Sequence, residues 1–350
     1  MYSNKIIGII PTSKDFKHPG DRRRFIYFCN TRNIKYEIAS FDKKYDAVFI
    51  TQTCDLTLWR NYKLSPIIFD FTDSYLKDTF FRNYLRGLGK FILRRNNSYV
   101  FNYKRLLKQM CKESYAVICT TKDQLNEIKE YNNNVHLILD SRVELSHIQK
   151  TNFDRSNAFK FLWEGLPENV NTFKILTNVF KKIREKYNIE LYILTDKRYP
   201  KFFSNILMRD TLSSIKKILK FDNIYFFQWS ISNMDYLVNK CDLALIPLLN
   251  HPLYLGKPEN KLLIFWQMGI PVLCSNSPAY KETSCKGQLN IICENENDWY
   301  IKIIKMIENQ EYRFESAKLG NSLVNTFYSD NNLLEQWDDI FTTLFNKNNI

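Results

Sequence analysis

Short apolar or β-branched runs recur along the first 140 residues, and amphipathic stretches separate them. The runs are KIIGII (5–10), DAVFIT (46–51), PIIFDF (66–71), YAVICT (115–120) and VHLILD (135–140). Strands that are apolar at nearly every position are buried on both faces, and parallel neighbours need a crossover of about a dozen residues or more. The pattern therefore predicts a doubly wound, mostly parallel sheet covered by helices.

A second set of runs follows a polar segment without clear periodicity, residues 141–157, which we interpret as a linker. The set comprises FKFLWEG (159–165), IELYILT (189–195), NIYFFQW (223–229), CDLALIP (241–247), IPVLCS (270–275) and LNIIC (289–293), with helical spacing at 296–309 and 330–347. We predict an α/β protein with one Rossmann-like domain at 1–150, a second at 151–330, and a helix at 331–350 packing back on the first. Such domains leave a cleft at the carboxyl ends of their strands, where ligands of open α/β sheets bind.

The composition is that of a globular protein, and we expect it to be cytoplasmic. Hydrophobic residues make up 45% of the chain, yet no apolar run approaches the roughly 20 residues that span a bilayer. The apolar start is broken by Gly8 and Pro11 and does not resemble a signal peptide. The eight cysteines form no Cys-x-x-Cys and the four histidines are dispersed, so we expect reduced thiols and no metal site.

The net charge of +13 is concentrated in the first domain. Residues 1–150 contain 26 Lys and Arg against 15 Asp and Glu, a net of +11, which leaves +2 for the remainder. An acidic partner of the first half is therefore one interpretation, with nucleic acid and an anionic membrane surface as candidates. Solubility alone is the other.

The segment LGKPENKLLIFWQMGIPVLCS (255–275) predicts a helix between two strands. Its first proline suits an initial helical turn and Gly269 suits a helix end, so the helix should begin near residues 257–259. Free N–H groups and the positive end of the dipole would then point to the carboxyl edge of the sheet, where a diphosphate could bind. Solvated lysines at a surface helix start are the alternative for the residues concerned, Lys257, Asn260 and Lys261.

Four motifs in order, CDLALIPL, KPENKLL, MGIPVLCS and SPAYKE, resemble the nucleotide-sugar half of GT-B glycosyltransferases of family 4, in the subset with a Lys-x-x-Asn-Lys signature. The resemblance implies a GT-B fold and transfer of a sugar from a nucleotide diphosphate-sugar, with retention of anomeric configuration. The acceptor would be a cell-surface glycan or a lipid-linked precursor. We expect no cofactor, no essential metal and no nucleic-acid partner.

The resemblance also suggests which residues bind the donor. We expect the diphosphate at Lys257, Asn260, Lys261, Gly165 and Arg198, and the base or ribose at Trp229, Ser230, Glu259 and Glu282. Each has a simpler explanation: Trp229 can be a core aromatic, Gly165 a plain turn and Arg198 a solvated charge. The resemblance identifies no catalytic side chain.

This sequence departs from the family at two positions. Family 4 enzymes usually carry glutamates at the places of Gly256 and Ile264, and the second of them binds ribose hydroxyls. Isoleucine cannot accept a hydrogen bond, so Glu259, Glu282 or backbone groups would have to do so. The departure also leaves open a non-catalytic GT-B scaffold or partner of another glycosyltransferase. A GT-B sugar-nucleotide epimerase is a third alternative, which the few acidic residues in 248–264 disfavour.

In the first domain, two loops that follow strands carry candidate acceptor-side residues. PTSKDFKHPGDRRRF (11–25) contains Gly20, Asp21 and Arg22 at a predicted helix start, and FDFTDSYL (69–76) contains Asp70 and Asp73. Arginine suits phosphate, and either carboxylate could orient an acceptor or cap a helix. The Asp-x-x-Asp spacing differs from the Asp-x-Asp that binds metal in GT-A enzymes.

Basic residues recur every four positions in FFRNYLRGLGKFILRR (80–95), beside an apolar stripe. Such a basic amphipathic segment is typical of a helix that lies on an anionic bilayer. We therefore predict peripheral binding to the inner face of the cell membrane through Arg82, Arg86, Lys90 and Arg94. The alternative is an ordinary helix that packs on the sheet with its basic side in solvent. Two glycines in the segment weaken the prediction that it is helical at all.

Overall fold

The computed structural model describes residues 4–145, 148–154, 157–200 and 208–347. The chain divides into two compact units. Unit 1 comprises Met1–Glu144, Gly256–Pro258 and Asp330–Ile350, and unit 2 comprises Leu145–Leu255 and Glu259–Ser329. Within the polar segment 141–157, residues 146–147 and 155–156 lie outside the described part of the chain.

Unit 1 contains a six-stranded parallel sheet in the order β2-β1-β3-β4-β5-β6. Its strands are β1 (Ile6–Ile10), β2 (Lys35–Ile38), β3 (Ala47–Thr51), β4 (Ile67–Asp70), β5 (Ala116–Cys119) and β6 (Val135–Leu137). Its helices are α1 (Pro19–Arg22), α2 (Phe25–Arg32), α3 (Leu56–Trp59), α4 (Phe80–Ile92), α5 (Tyr103–Glu113) and α6 (Lys122–Lys129), with a 3-10 turn at Tyr75–Lys77. A helix at Asp330–Lys347 completes the unit.

The core of unit 1 lies on both faces of this sheet. On one face Phe25 stacks on Phe49 with ring centroids 4.1 Å apart, and Phe28 lies 5.6 Å from the Trp337 ring. Trp337 belongs to the helix at 330–347, whose Ile340, Phe341 and Leu344 are buried in the same cluster. The last helix of the chain is therefore part of the core of unit 1.

Unit 2 contains a second six-stranded parallel sheet, in the order β11-β8-β7-β12-β13-β14. Its strands are β7 (Phe159–Glu164), β8 (Ile189–Thr195), β11 (Ile224–Gln228), β12 (Leu243–Ile246), β13 (Val272–Ser275) and β14 (Ile292–Cys293), with a hairpin of β9 (Arg198–Pro200) and β10 (Met208–Asp210). The helices are α7 (Thr177–Arg184), α8 (Thr211–Leu219), α9 (Ile231–Lys240), α10 (Pro252–Leu255), α11 (Asn260–Gln267), α12 (Pro278–Lys286), α13 (Glu296–Glu308) and α14 (Gln310–Phe327), after a 3-10 stretch at Pro167–Leu176. The helix Asp330–Lys347 of unit 1 follows in the chain as α15.

Each strand predicted from an apolar run is present, in most cases shortened at its ends. The sequence did not reveal β2, because its residues KYEI are mostly exposed at the sheet edge and form no apolar run. Helix α11 begins at Asn260, later than the predicted start. It is followed by Gly269 with φ of 72°, a left-handed conformation that favours glycine and ends the helix as predicted.

Candidate functional site

Hydrogen bonds join the loops at the carboxyl edge of the sheet in unit 2. Thr195, the last residue of β8, donates from Oγ1 to the carbonyl oxygen of Gly165 at 2.6 Å. The carbonyl of Thr195 accepts a hydrogen bond from the Trp229 N–H at 3.1 Å. The loops after β7, β8 and β11 are therefore neighbours, and two predicted ligand residues, Gly165 and Trp229, lie at the same edge.

Lys261 reaches this edge from the first turn of α11. Its Nζ lies 3.3 Å from Oε2 of Glu164, the last residue of β7, and donates to the Glu164 carbonyl oxygen. A Cβ at Gly165 would lie 3.0 Å from this Nζ and 2.9 Å from the Trp163 ring, so glycine leaves the space that the ammonium group occupies. The side chains of Lys261 and Glu164 are 27% and 20% exposed, so the ion pair is accessible to a solute.

The other predicted phosphate ligands of this segment lie around the start of α11. Asn260 is the first residue of the helix, and Glu259 precedes it as the N-cap without a side-chain hydrogen bond to the first turn. The N–H groups of a first helical turn have no intrahelical acceptor. Lys257 lies outside the helix and belongs to unit 1. Asn260 and Lys261 therefore share the first turn of α11, and Lys257 does not.

Glu259 is held by two hydroxyl groups. Its Oε1 lies 3.4 Å from Thr283 Oγ1 and 3.5 Å from the Tyr328 hydroxyl, and these hydroxyls are 3.2 Å apart. Burial raises the pKa of the Glu259 carboxyl above its usual value. Glu282, the other predicted acceptor, pairs with Lys286 along α12 at 3.4 Å.

Ile264 is only partly buried, unlike its neighbours in α11. Leu262, Leu263, Phe265 and Trp266 are all buried. Ile264 lies one turn after Asn260 and Lys261, and residues three and four apart share a helical face. The position where the family resemblance implies a ribose-binding carboxylate therefore presents an apolar side chain beside Lys261.

The remaining predicted donor residues follow β8 and β11 in unit 2. Ser230 caps α9, because its hydroxyl accepts the Asn233 N–H at 3.1 Å. Trp229 is partly buried. Arg198 is exposed and is the first residue of β9. It lies opposite Asp210 of β10 in the antiparallel ladder.

In unit 1, the predicted acceptor-side residues Gly20 and Asp21 lie in α1. The Gly20 N–H donates to His18 Nδ1 at 3.0 Å. The buried carboxylate of Asp21 accepts the backbone N–H groups of Thr12 at 2.7 Å and Ser13 at 2.9 Å. Asp21 thus holds the backbone of the loop after β1 through these two hydrogen bonds. The predicted contact of Asp21 with an acceptor does not match its buried position.

Arg22 and Asp70, two further predicted acceptor-side residues, are engaged in ion pairs within unit 1. Arg22 donates from Nη2 to Glu144 at 3.0 Å. Asp70 is buried and receives a bidentate pair from Arg24, at 2.9 Å from Nε and 2.7 Å from Nη2. Burial opposes the charge on Arg24, but the carboxylates of Asp70 and Asp140 outweigh it and raise the pKa of the guanidinium. Asp70 is therefore a structural anchor and is not available to orient an acceptor.

Asp73 remains at the carboxyl edge of the first sheet. Gln52, which follows β3, donates from Nε2 to Asp73 Oδ2 at 2.6 Å and accepts the Asp73 N–H at 2.9 Å. Asp73 therefore links the loops after β3 and β4. Among the described residues there is no group of three or more His, Cys, Asp or Glu side chains placed to hold a metal ion.

The basic stripe predicted for α4 is not continuous. Arg86 turns inward to Asp78 at 2.7 Å and stacks on the Tyr75 ring at 3.8 Å. Lys90 donates to the Tyr103 hydroxyl at 2.7 Å and to the carbonyls of residues 52–54, each at 3.3 Å, and burial lowers its pKa to about 8. The structure departs from the prediction for these two residues: of the four predicted membrane-facing residues, Arg82 and Arg94 are exposed and Arg86 and Lys90 are partly buried.

What α4 and the loop after it present to solvent is largely apolar. Ile92 is 67% exposed and Phe81 is 65% exposed. The exposed side chains, which we name the α4 apolar surface, are Phe80, Phe81, Leu85, Phe91, Ile92, Leu93, Tyr99 and Phe101. No helix in the described part of the chain has the length and apolar character needed to cross a membrane.

The model of the family described as "Glycosyl transferases group 1" matches residues 159–309, which include β7 and α11. Comparison with curated protein sequences finds no match. The chain is similar to the solved structure of TarM from S. aureus at 12% identity and a TM-score of 0.60, over 84% of this chain and 54% of the TarM chain. It thus spans about half the length of TarM.

Two further solved structures resemble nearly the whole chain. Anabaena HepE in complex with UDP and glucose matches at 11% identity and a TM-score of 0.63, over 97% of this chain and 99% of HepE. WaaG, a glycosyltransferase involved in lipopolysaccharide biosynthesis, matches at 12% identity and a TM-score of 0.58, over 96% and 99%.

The fold is GT-B. Two Rossmann-like units with parallel sheets are common to this chain and these solved structures, as the family resemblance implied. The family match lies in unit 2, and the similarity of nearly the whole chain to HepE and WaaG concerns the fold. Sequence reasoning missed Glu164, the partner of Lys261, although a carboxylate at the carboxyl end of a parallel strand is a detectable signal.

Proposed function

We propose that the protein transfers a sugar from a nucleotide diphosphate-sugar to a glycan or lipid-linked acceptor of the cell surface, with retention of configuration. The observation that carries this proposal is the accessible ammonium of Lys261 beside Gly165, within the segment that matches the glycosyltransferase family. HepE was solved with UDP and glucose, which agrees with a nucleotide-sugar donor. WaaG is a glycosyltransferase involved in lipopolysaccharide biosynthesis, which agrees with a cell-surface acceptor.

In the proposed reaction the bond between the anomeric carbon and the β-phosphate oxygen breaks, and a bond to the acceptor oxygen forms on the same face. The acceptor's proton passes to the leaving diphosphate. The protein then has two tasks, which are to align the substrates and to neutralise the charge that develops on the diphosphate. Lys261, Asn260 and the first-turn N–H groups of α11 would neutralise that charge.

The experiment that tests the proposal is a thermal-shift screen with UDP, GDP, ADP and CDP, followed by turnover assays with the matching sugar nucleotides. A ligand that binds only the folded state stabilises it by about 2.7 kcal/mol at 100 times its Kd. We expect one nucleoside diphosphate to raise the melting temperature saturably. Absence of saturable binding by all four would contradict the proposal.

A second candidate, a non-catalytic GT-B partner of another glycosyltransferase, is favoured by one observation. Ile264 presents an apolar side chain beside Lys261, where the family resemblance implies a carboxylate. Saturable binding of a nucleoside diphosphate without release of that diphosphate from any sugar nucleotide would support this candidate.

We also propose that unit 1 binds an anionic bilayer through the α4 apolar surface, as a peripheral protein of the inner face of the cell membrane. The support is the exposed aromatic and aliphatic side chains flanked by Arg82 and Arg94, a combination typical of interfacial helices. A lipid-linked acceptor would then be presented to the unit from the membrane.

A further inference from the structure

We propose that Glu164 binds the ribose hydroxyls of the donor and thereby determines the preference for ribonucleotides. This inference rests on the proposed function, because it assigns a role within the same nucleotide-sugar site. It gives ribose binding to the last residue of β7, whereas the sequence analysis expects Glu259 or Glu282 to bind the ribose.

The position of Glu164 is the first argument. It ends β7, which lies between β8 and β12 in the sheet. On one side, the loop after β7 is bonded to Thr195, whose carbonyl holds Trp229, the predicted base contact. On the other side, Glu164 contacts Lys261, the proposed phosphate ligand, at 3.3 Å. Since ribose connects base to phosphate in a nucleotide, a nucleotide that contacts both Trp229 and Lys261 would bring its ribose to Glu164.

The chemistry of the pair is the second argument. A carboxylate accepts hydrogen bonds and donates none, and it repels a diphosphate. When a diphosphate takes the ammonium of Lys261, the carboxylate of Glu164 loses its counter-ion and needs neutral hydrogen-bond donors. A ribose diol offers two such donors next to the phosphate.

The engagement of the other acidic side chains is the third argument. Glu259 is directed to the hydroxyls of Thr283 and Tyr328, and Glu282 pairs with Lys286. Ile264, at the position where the family resemblance implies a carboxylate, has no hydrogen-bond acceptor in its side chain. Glu164 is also ion-paired, but its partner Lys261 is the residue proposed to bind phosphate, so a bound diphosphate would take that partner away from the carboxylate.

Calorimetric titration of the full chain tests the inference. UDP, GDP, ADP and CDP are each compared with the 2′-deoxy form, and inorganic diphosphate serves as a ligand without ribose. A hydrogen bond to a charged group corresponds to about tenfold or more in affinity, so we expect the wild type to prefer the ribonucleotide by that factor. In Glu164→Gln we expect the preference to fall to about twofold or less, with diphosphate affinity unchanged or higher.

The control is Glu168→Gln, an exposed glutamate on the stretch after β7, which should retain the wild-type preference. Should Glu164→Gln lower the melting temperature strongly, Glu164→Asp keeps the charge and should retain part of the preference. Diphosphate binding with an unchanged preference in Glu164→Gln would overturn the inference and leave Glu164 as a counter-ion of Lys261. Failure of the wild type to bind any of these ligands would instead overturn the proposed function.

Discussion

The two sheets present charged side chains at their carboxyl edges in different ways. In unit 1, Arg24 and Asp70 are buried and bonded to each other in a bidentate pair, and Asp21 is buried against backbone N–H groups. In unit 2, Lys261 and Glu164 form a single ion pair that remains partly exposed. Similar sequence patterns, polar residues in loops that follow strands, predict substrate binding at both edges.

The difference separates charges that build the fold from charges that can exchange partners. A buried pair in which every oxygen is bonded cannot release a member without leaving an unpaired charge in the interior. An exposed pair contributes about 0–1 kcal/mol to stability, so it can be given up for a ligand. Burial and bonding pattern, more than residue type, therefore distinguish the two edges.

The largest effect is expected from Arg24→Leu, which leaves Asp70 buried without its partner. We expect a loss of about 3–5 kcal/mol in the free energy of unfolding, measured by urea denaturation. The double variant Arg24→Leu with Asp70→Leu should recover part of this loss, since it removes both charges. A loss below about 1 kcal/mol for the single variant would mean that Arg24, like Lys261, is a charge that can exchange its partner without destabilising the fold.

The next effect is expected from Lys261→Ala, and it concerns turnover. Removing one group that stabilises a developing oxyanion costs about 2.7–4 kcal/mol, or a factor of about 10²–10³ in kcat. Stability should change by no more than about 1 kcal/mol, because the pair with Glu164 is partly exposed to water. Lys281→Ala, an exposed lysine on α12, is the matched control. Unchanged kcat and nucleotide affinity in Lys261→Ala would remove the phosphate assignment.

The smallest effect is expected from Arg82→Gln. Comparing it with Arg86→Gln tests, within α4, the same difference between an exposed charge and a charge paired in the interior. Each basic residue near an anionic surface contributes about 1 kcal/mol, so Arg82→Gln should weaken co-sedimentation with phosphatidylserine vesicles about fivefold. Arg86→Gln should leave vesicle binding unchanged and lower the melting temperature, since Arg86 lies 2.7 Å from buried Asp78, whereas Arg82 is 3.9 Å from that carboxylate and 48% exposed. Equal vesicle binding by all three proteins, or none by the wild type, would contradict the membrane proposal.

Sequence patterns predicted the fold because buried parallel strands are apolar along their whole length, which makes them visible as runs. The same patterns did not distinguish Asp70 from Lys261, since pairing depends on residues distant in the chain: Arg24 for one and Glu164 for the other. Lys90 shows the limit most clearly. It keeps the spacing of a surface stripe, yet it is directed inward because carbonyls of residues 52–54 and the Tyr103 hydroxyl surround its ammonium.

The packing of α15 in the core of unit 1 has a consequence for biosynthesis. The segment that supplies Trp337 and Phe341 begins at residue 330, whereas the rest of the unit is complete at residue 144 apart from residues 256–258. At a synthesis rate of about 5–20 residues per second, the ribosome needs roughly 10–40 s to make the intervening chain. During that interval Phe25 keeps Phe49 as a stacking partner, but Phe25 and Phe28 both lack Trp337 and Phe341, so the apolar surface that α15 later covers stays open in the nascent N-terminal half.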